Sequence, residues 1–187
     1  MTQPWDEFRE DIASGDAERA NRVVDQIGEW DIDECVRSFD DCFNGVTTLY
    51  VTSDDGYVRQ SCVRVASELA PGLGAAVNLE DEQASSPDRE TIADQTDALC
   101  GFFLEAMTDG DGRVRQSAKR GLEDVFRTYD ALDDRDTIEA IRAELDAMAT
   151  HYDGKQREHL HEAKRAANTT LESGLARMVR DVAEELE

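Results

Sequence analysis

Lysine is nearly missing. Lys119, Lys155 and Lys164 are the only three in 187 residues, and the other 17 of the 20 basic residues are arginine. Proline is as scarce, at three residues, and aromatics make up 6%. A chain so poor in proline suits helices, which an interior proline disrupts. Long apolar runs are missing too. The longest lies around Gly101-Phe102-Phe103-Leu104, far below the roughly 20 residues of a bilayer-spanning helix, so no membrane partner is expected. The opening Met1-Thr2-Gln3-Pro4-Trp5-Asp6 has neither the basic start nor the apolar stretch of a signal peptide. The expected compartment is therefore the cytoplasm.

Catalytic and metal signatures are also lacking. The four cysteines (Cys35, Cys42, Cys62 and Cys100) form no CxxC pair. Cys35 and Cys42 are seven apart and share the apolar face of a helix, so buried free thiols are expected. His159 and His161 are two apart and diverge on a helix, unlike a zinc pair at i, i+4. With His151 outside that helix, these histidines read as solvated or capping groups. Asp109-x-Asp111-Gly112 resembles the opening of a calcium loop, but the further ligands and the terminal Glu do not follow. A hairpin turn is the better reading. No Ser/His/Asp or Cys/His set is visible. The expectation is no enzyme, no cofactor and no metal.

What the chain has in excess is acid: 43 Asp and Glu, and a net charge of −23. Such charge can mean disorder. Here 40% of residues are apolar, and they keep helical spacing almost end to end, which points to one folded domain. Many acids with almost no lysine resemble the surface of a protein from a salt-in halophile. Molar salt shortens the Debye length to about 3 Å and screens such a surface from itself. The acidity then serves solvation and requires no basic partner.

Taken in order, the apolar stripes give about eight helices and no strand. Trp5, Phe8 and Ile12 mark the first, and Ala20, Val23, Val24 and Ile27 the second. Cys35, Phe39, Cys42, Val46 and Tyr50 lie on the third, and Val58, Cys62, Val65 and Leu69 on the fourth. Pro71-Gly72-Leu73-Gly74 is expected to break the fourth, opening an irregular acidic connection over 71–86. Beyond it come a helix through Ile92, Leu99 and Phe103, another through Val114, Leu122 and Tyr129, a third through Ile138 and Leu145, and a last one from about 155 to the end, with a possible bend at Ser173-Gly174. The expected hairpins span about 4–30, 32–70, 87–129 and 134–186.

The strongest pattern is a repeat. Gly56-Tyr57-Val58-Arg59-Gln60-Ser61 recurs as Gly112-Arg113-Val114-Arg115-Gln116-Ser117, and 8 of the 19 positions from Val51 to Leu69 match those from Met107 to Val125. Asp153-Gly154 with Arg157 is a weaker third copy. A repeat of this kind points to stacked helical units. The segment Asp109 to Ala118 resembles the intra-repeat turn of HEAT repeats, in which an Asp-rich turn leads into a Val-Arg pair and then an apolar helix. Ser53 to Cys62 resembles it too. The resemblance implies an all-α fold of stacked antiparallel hairpins, an α-α superhelix. It also implies a structural ladder, with Arg59 and Arg115 pairing with Asp55 or Asp111. The glycines replace the usual turn prolines, and the connection over 71–86 stretches the period.

Against the acid background, Gly112 to Tyr129 holds five bases (Arg113, Arg115, Lys119, Arg120 and Arg127) and two acids. In HEAT-like stacks these second helices line the concave surface. Arg64, Arg113, Lys119, Arg120 and Arg127 are thus candidate binding residues on a basic concave face. The plain alternative is charge balance by pairs such as Arg120 with Asp124 or Glu123 with Arg127. Two functions follow. One is a non-catalytic scaffold for an unidentified protein partner or a second copy of itself. The other is a nucleic-acid-binding or DNA-repair protein similar to the HEAT-like alkyl-base glycosylases. Net charge and salt weigh against the second, because counterion release drives little binding in molar salt.

Overall fold

The computed structural model describes residues 4–79 and 88–185, with side chains over 5–70 and 88–173. Eight helices follow in order: α1 (Pro4–Ala13), α2 (Ala17–Gly28), α3 (Ile32–Thr52), α4 (Gly56–Leu79), α5 (Arg89–Ala106), α6 (Gly112–Ala131), α7 (Arg135–Ala149) and α8 (Gly154–Glu185). Among the described residues there is no strand. The fold is all-α, as the spacing of apolar residues predicts.

Aspartate starts most of these helices. Asp16, Asp31, Asp88, Asp111 and Asp134 each precede a helix and accept hydrogen bonds from backbone amides of its first turn. Those amides have no partner inside the helix, and a carboxylate also complements the positive end of the helix dipole. Part of the acid excess is thus structural.

Each odd-numbered helix packs on the even-numbered helix that follows it, giving four hairpins. The second helices pack side by side in the order α2, α4, α6, α8. Contacts among α1, α3 and α5 are sparser. Between the layers runs one continuous core that includes Ile12, Ile27, Phe39, Leu69, Phe103, Leu122 and Tyr129. Close approach needs missing side chains at two points. A Cβ at Gly45 would sit 2.1 Å from the Trp5 indole, and one at Gly121 would sit 2.4 Å from the Phe103 ring. Both glycines are sockets for an aromatic side chain from the neighbouring helix.

Two boundaries differ from the reading of the sequence. Helix α4 does not end before Pro71; it continues through Pro71-Gly72-Leu73-Gly74 to Leu79. A proline removes one backbone hydrogen bond, and the turns before it are locked in the core by Cys62, Val63, Val65, Ala66, Leu69 and Ala70. The rest of the expected connection, 80–86, lies outside the described residues. Helix α8 runs unbroken past Ser173-Gly174.

Candidate functional site

The turns that lead into α4 and α6 share one hydrogen-bond pattern. The amide of Asp55 donates to Ser53 Oγ (3.2 Å) and that of Asp111 to Asp109 Oδ1 (2.7 Å). Asp55 and Asp111 then accept from the amides of Tyr57 and Arg113. Arg59 reaches back to the Ser53 carbonyl (3.1 Å), as Arg115 does to the Asp109 carbonyl (2.6 Å). Each arginine thus ties down the turn that starts its own helix. The two turns also abut. A Cβ at Gly56 would lie 2.3 Å from Asp111 Oδ2, and the Arg113 guanidinium lies over the Tyr57 ring, 5.9 Å from its centroid.

Of the expected ladder there is one rung, and it rests on a different aspartate. Arg59 pairs with Asp109, through Nε–Oδ2 at 2.7 Å and Nη2–Oδ1 at 3.2 Å, and not with Asp55 or Asp111. Those two are occupied as helix caps. Tyr50 Oη adds a third bond to Asp109 Oδ2 (2.9 Å). The Asp109 side chain is 6% exposed and that of Arg59 21%. Burial pushes the Asp109 carboxyl up, but the bonds from Arg59, the Asp111 amide and Tyr50 outweigh it and hold it below its ordinary value. Asp111, gripped by Arg113, is held at about 2.

Arg115 does not repeat this rung. The residue is only 7% exposed, yet among the described residues no carboxylate bonds its guanidinium. Nη1 also donates to the Gly110 carbonyl (3.0 Å), and Nε donates to His159 Nδ1 on α8 (3.3 Å). The expected pairing of Arg115 with Asp55 or Asp111 is therefore not made. Where the second turn has Asp109, the third has His151, whose ring stays on the Ala147 carbonyl at the end of α7. His151 is thus a capping histidine, as read from the sequence, whereas His159 is a bonding partner that sequence reading missed. Gly154 also takes a left-handed φ of 56°, so the third turn is not a copy of the first two.

Of the five candidate binding residues, Arg64 and Arg120 share a cleft and the other three lie elsewhere. Arg113 stands at the start of α6, paired with Asp111 (2.7 Å) and over the Tyr57 ring. Arg64 donates to Asn21 on α2 (2.7 Å). Lys119 bonds Glu162 on α8 (2.9 Å) and lowers the pKa of that carboxyl. Arg127 bonds Asp124 one turn back. Arg120 is exposed and lines a cleft of about 290 Å³ between α4 and α6, together with Arg64, Ser67, Glu68, Ser117 and Asp124. A second cleft of about 410 Å³ lies between α6 and α8, with Glu123, Arg127, Asp130, Thr169 and Ser173 on its walls. Glu68 and Asp124 have raised pKa values, in both cases first through burial; Arg64 opposes the rise at Glu68 and Arg127 that at Asp124. The open face is thus mixed in sign, not basic, because acids from the same and neighbouring helices match the bases.

The four cysteines are buried free thiols. Burial is the main cause that raises Cys35 to about 11 and Cys42, Cys62 and Cys100 to about 12, which makes them poor nucleophiles. Among the described residues, no group of three or more His, Cys, Asp or Glu is placed to hold a metal ion, and no helix is long and apolar enough to cross a membrane. A scan against protein-family models and comparisons with curated proteins and with solved structures find no match to this chain.

Proposed function

We propose that the chain is a HEAT-like, non-catalytic scaffold that holds a protein partner on the open face of α2, α4, α6 and α8, in a salt-rich cytoplasm. The observation that carries this reading is the cleft between α4 and α6. Its walls alternate guanidinium, hydroxyl and carboxylate groups: Arg64, Ser67 and Glu68 on one side, Ser117, Arg120 and Asp124 on the other. A protein segment offers hydrogen-bonding groups of both kinds and charges of both signs. A nucleic-acid backbone offers phosphate alone, and Glu68 and Asp124 would repel it. The nucleic-acid reading loses its main support, since Lys119 and Arg127 are already paired.

The test is site-specific photo-crosslinking in molar KCl, with the photoreactive residue at Ser67 or Ser117. The expected result is one discrete protein adduct from the native host. It should vanish when Arg120→Glu and Glu68→Lys invert the cleft, while circular dichroism shows both variants folded. An adduct indifferent to both substitutions would refute the assignment of the cleft. Shifting of DNA or RNA in a gel, abolished by Lys119→Glu with Arg120→Glu, would favour the nucleic-acid reading.

A further inference from the structure

The α4–α6 and α6–α8 junctions differ in one chemical respect. The first is closed by a carboxylate, Asp109, on Arg59. The second is closed by an imidazole, His159, on Arg115. A carboxylate accepts a hydrogen bond from arginine at any pH near neutrality. Imidazole Nδ1 accepts one only while it carries no proton.

We propose that the α6–α8 junction is a proton-sensitive joint: neutral His159 accepts from Arg115 and ties α8 to α6, and a proton taken from solvent onto Nδ1 undoes that tie and loosens the α7–α8 hairpin. Nδ1 has no lone pair left once protonated. The same proton places a cation 3.3 Å from a guanidinium that is nearly buried and, among the described residues, bonds two carbonyl oxygens besides. The charged groups around the ring are Arg115 and Lys119 on α6 and Glu158 and Glu162 on its own helix. The two glutamates favour the proton, but Glu162 is held by Lys119. Burial first, then Arg115 and Lys119, outweigh them and set His159 below its ordinary value of 6.5. A histidine so depressed stabilises the fold fully above that value. The contribution fades as pH falls from about 6.5 through the folded-state value.

The loosening has a place to act. Helices α6 and α8 form the walls of the larger cleft, which holds Glu123, Arg127 and Thr169. A hairpin that yields on acidification changes that cleft and leaves the α4–α6 cleft alone. The inference stands on the two junctions and does not require that either cleft bind a protein.

The experiment uses the full chain in constant molar KCl. The ring nitrogens of His151, His159 and His161 are titrated by NMR between pH 8 and 5, and amide hydrogen exchange is followed in parallel, corrected for intrinsic rates. His159 is expected to titrate below its ordinary value of 6.5. Protection of α8 amides such as Leu160 and Ala163 should fall several-fold in step with it, while α2 and α4 amides hold. In His159→Gln, whose side-chain oxygen accepts without titrating, α8 protection should stay flat over this range; His161→Gln should behave as the wild type. The proposal is overturned if α8 protection is unchanged while His159 gains its proton, or if it falls equally in His159→Gln. Should His159→Gln not fold, the wild-type comparison of α8 with α4 decides alone: equal loss in both helices overturns the joint.

Discussion

The α4–α6 and α6–α8 junctions start from one sequence motif and end in different chemistry. Arg59 and Arg115 occupy the same place on their helices and reach back to the same turn carbonyl. Past that point, Arg59 meets Asp109, which also gathers Tyr50 and the Asp111 amide, whereas Arg115 meets carbonyls and an imidazole. A repeated arginine does not guarantee a repeated ladder. The rung depends on what the next turn offers. Asp109 is replaced there by His151, so the buried arginine of the last junction is held by neutral acceptors, one of them titratable.

The largest effect should come from breaking the stronger junction. Asp109→Ala removes one carboxylate and strands three donors, including a partly buried guanidinium. A loss of about 3 kcal/mol is expected, read by chemical denaturation. Arg115→Ala removes bonds to neutral acceptors alone, and a smaller loss of about 1–2 kcal/mol is expected. Equal losses would erase the distinction between the junctions.

The glycines sharpen it. Gly56 and Gly112 are repeat equivalents, yet a Cβ at Gly56 would press on Asp111 (2.3 Å from Oδ2), while one at Gly112 would meet only Arg115 Nη2 at 3.4 Å. Asp111 cannot easily yield, since it caps α6 and grips Arg113. Gly56→Ala should cost about 1–2 kcal/mol and Gly112→Ala within about 0.5 kcal/mol of nothing, measured by thermal melting. Acid should separate the junctions as well. Asp109 has a folded-state pKa below its ordinary 3.8, so its contribution is complete above that pH and is lost only as pH falls further. Hydrogen exchange at pH 5 should therefore leave α4 protected. The smallest and most diffuse effect is that of salt. Raising KCl from about 0.1 to 1 M shortens the Debye length from about 10 to 3 Å, and with a net charge of −23 the melting temperature should rise. A melting temperature that is flat or falls would contradict the solvation reading of the acidic surface.

The helices, their apolar stripes and the equivalence of residues 56 and 112 were legible because they are local. A period of 3.6 and an Asp-Gly turn need no knowledge of the rest of the chain. That Arg59 would pair with a turn aspartate was legible from the repeated Asp-Gly turn. Which aspartate serves was not. Asp109 and Asp111 lie two residues apart, and only the offset between neighbouring hairpins decides which one faces Arg59. The same limit explains the binding face. Counting charges along α6 suggests a basic surface, but Glu162 reaches Lys119 from α8 and Asn21 reaches Arg64 from α2, at separations that helical spacing cannot show. The one faint signal for His159 was the substitution of His151 for the rung aspartate, which leaves a buried arginine without its acid.

Whether the Arg59–Asp109 pair holds the α4 and α6 turns together is read by a double-mutant cycle on Arg59→Ala and Asp109→Ala. A coupling of about 1.5–3 kcal/mol between the two side chains is expected. A coupling under about 0.5 kcal/mol would mean that the turns are stacked by packing alone and that the ladder holds nothing together.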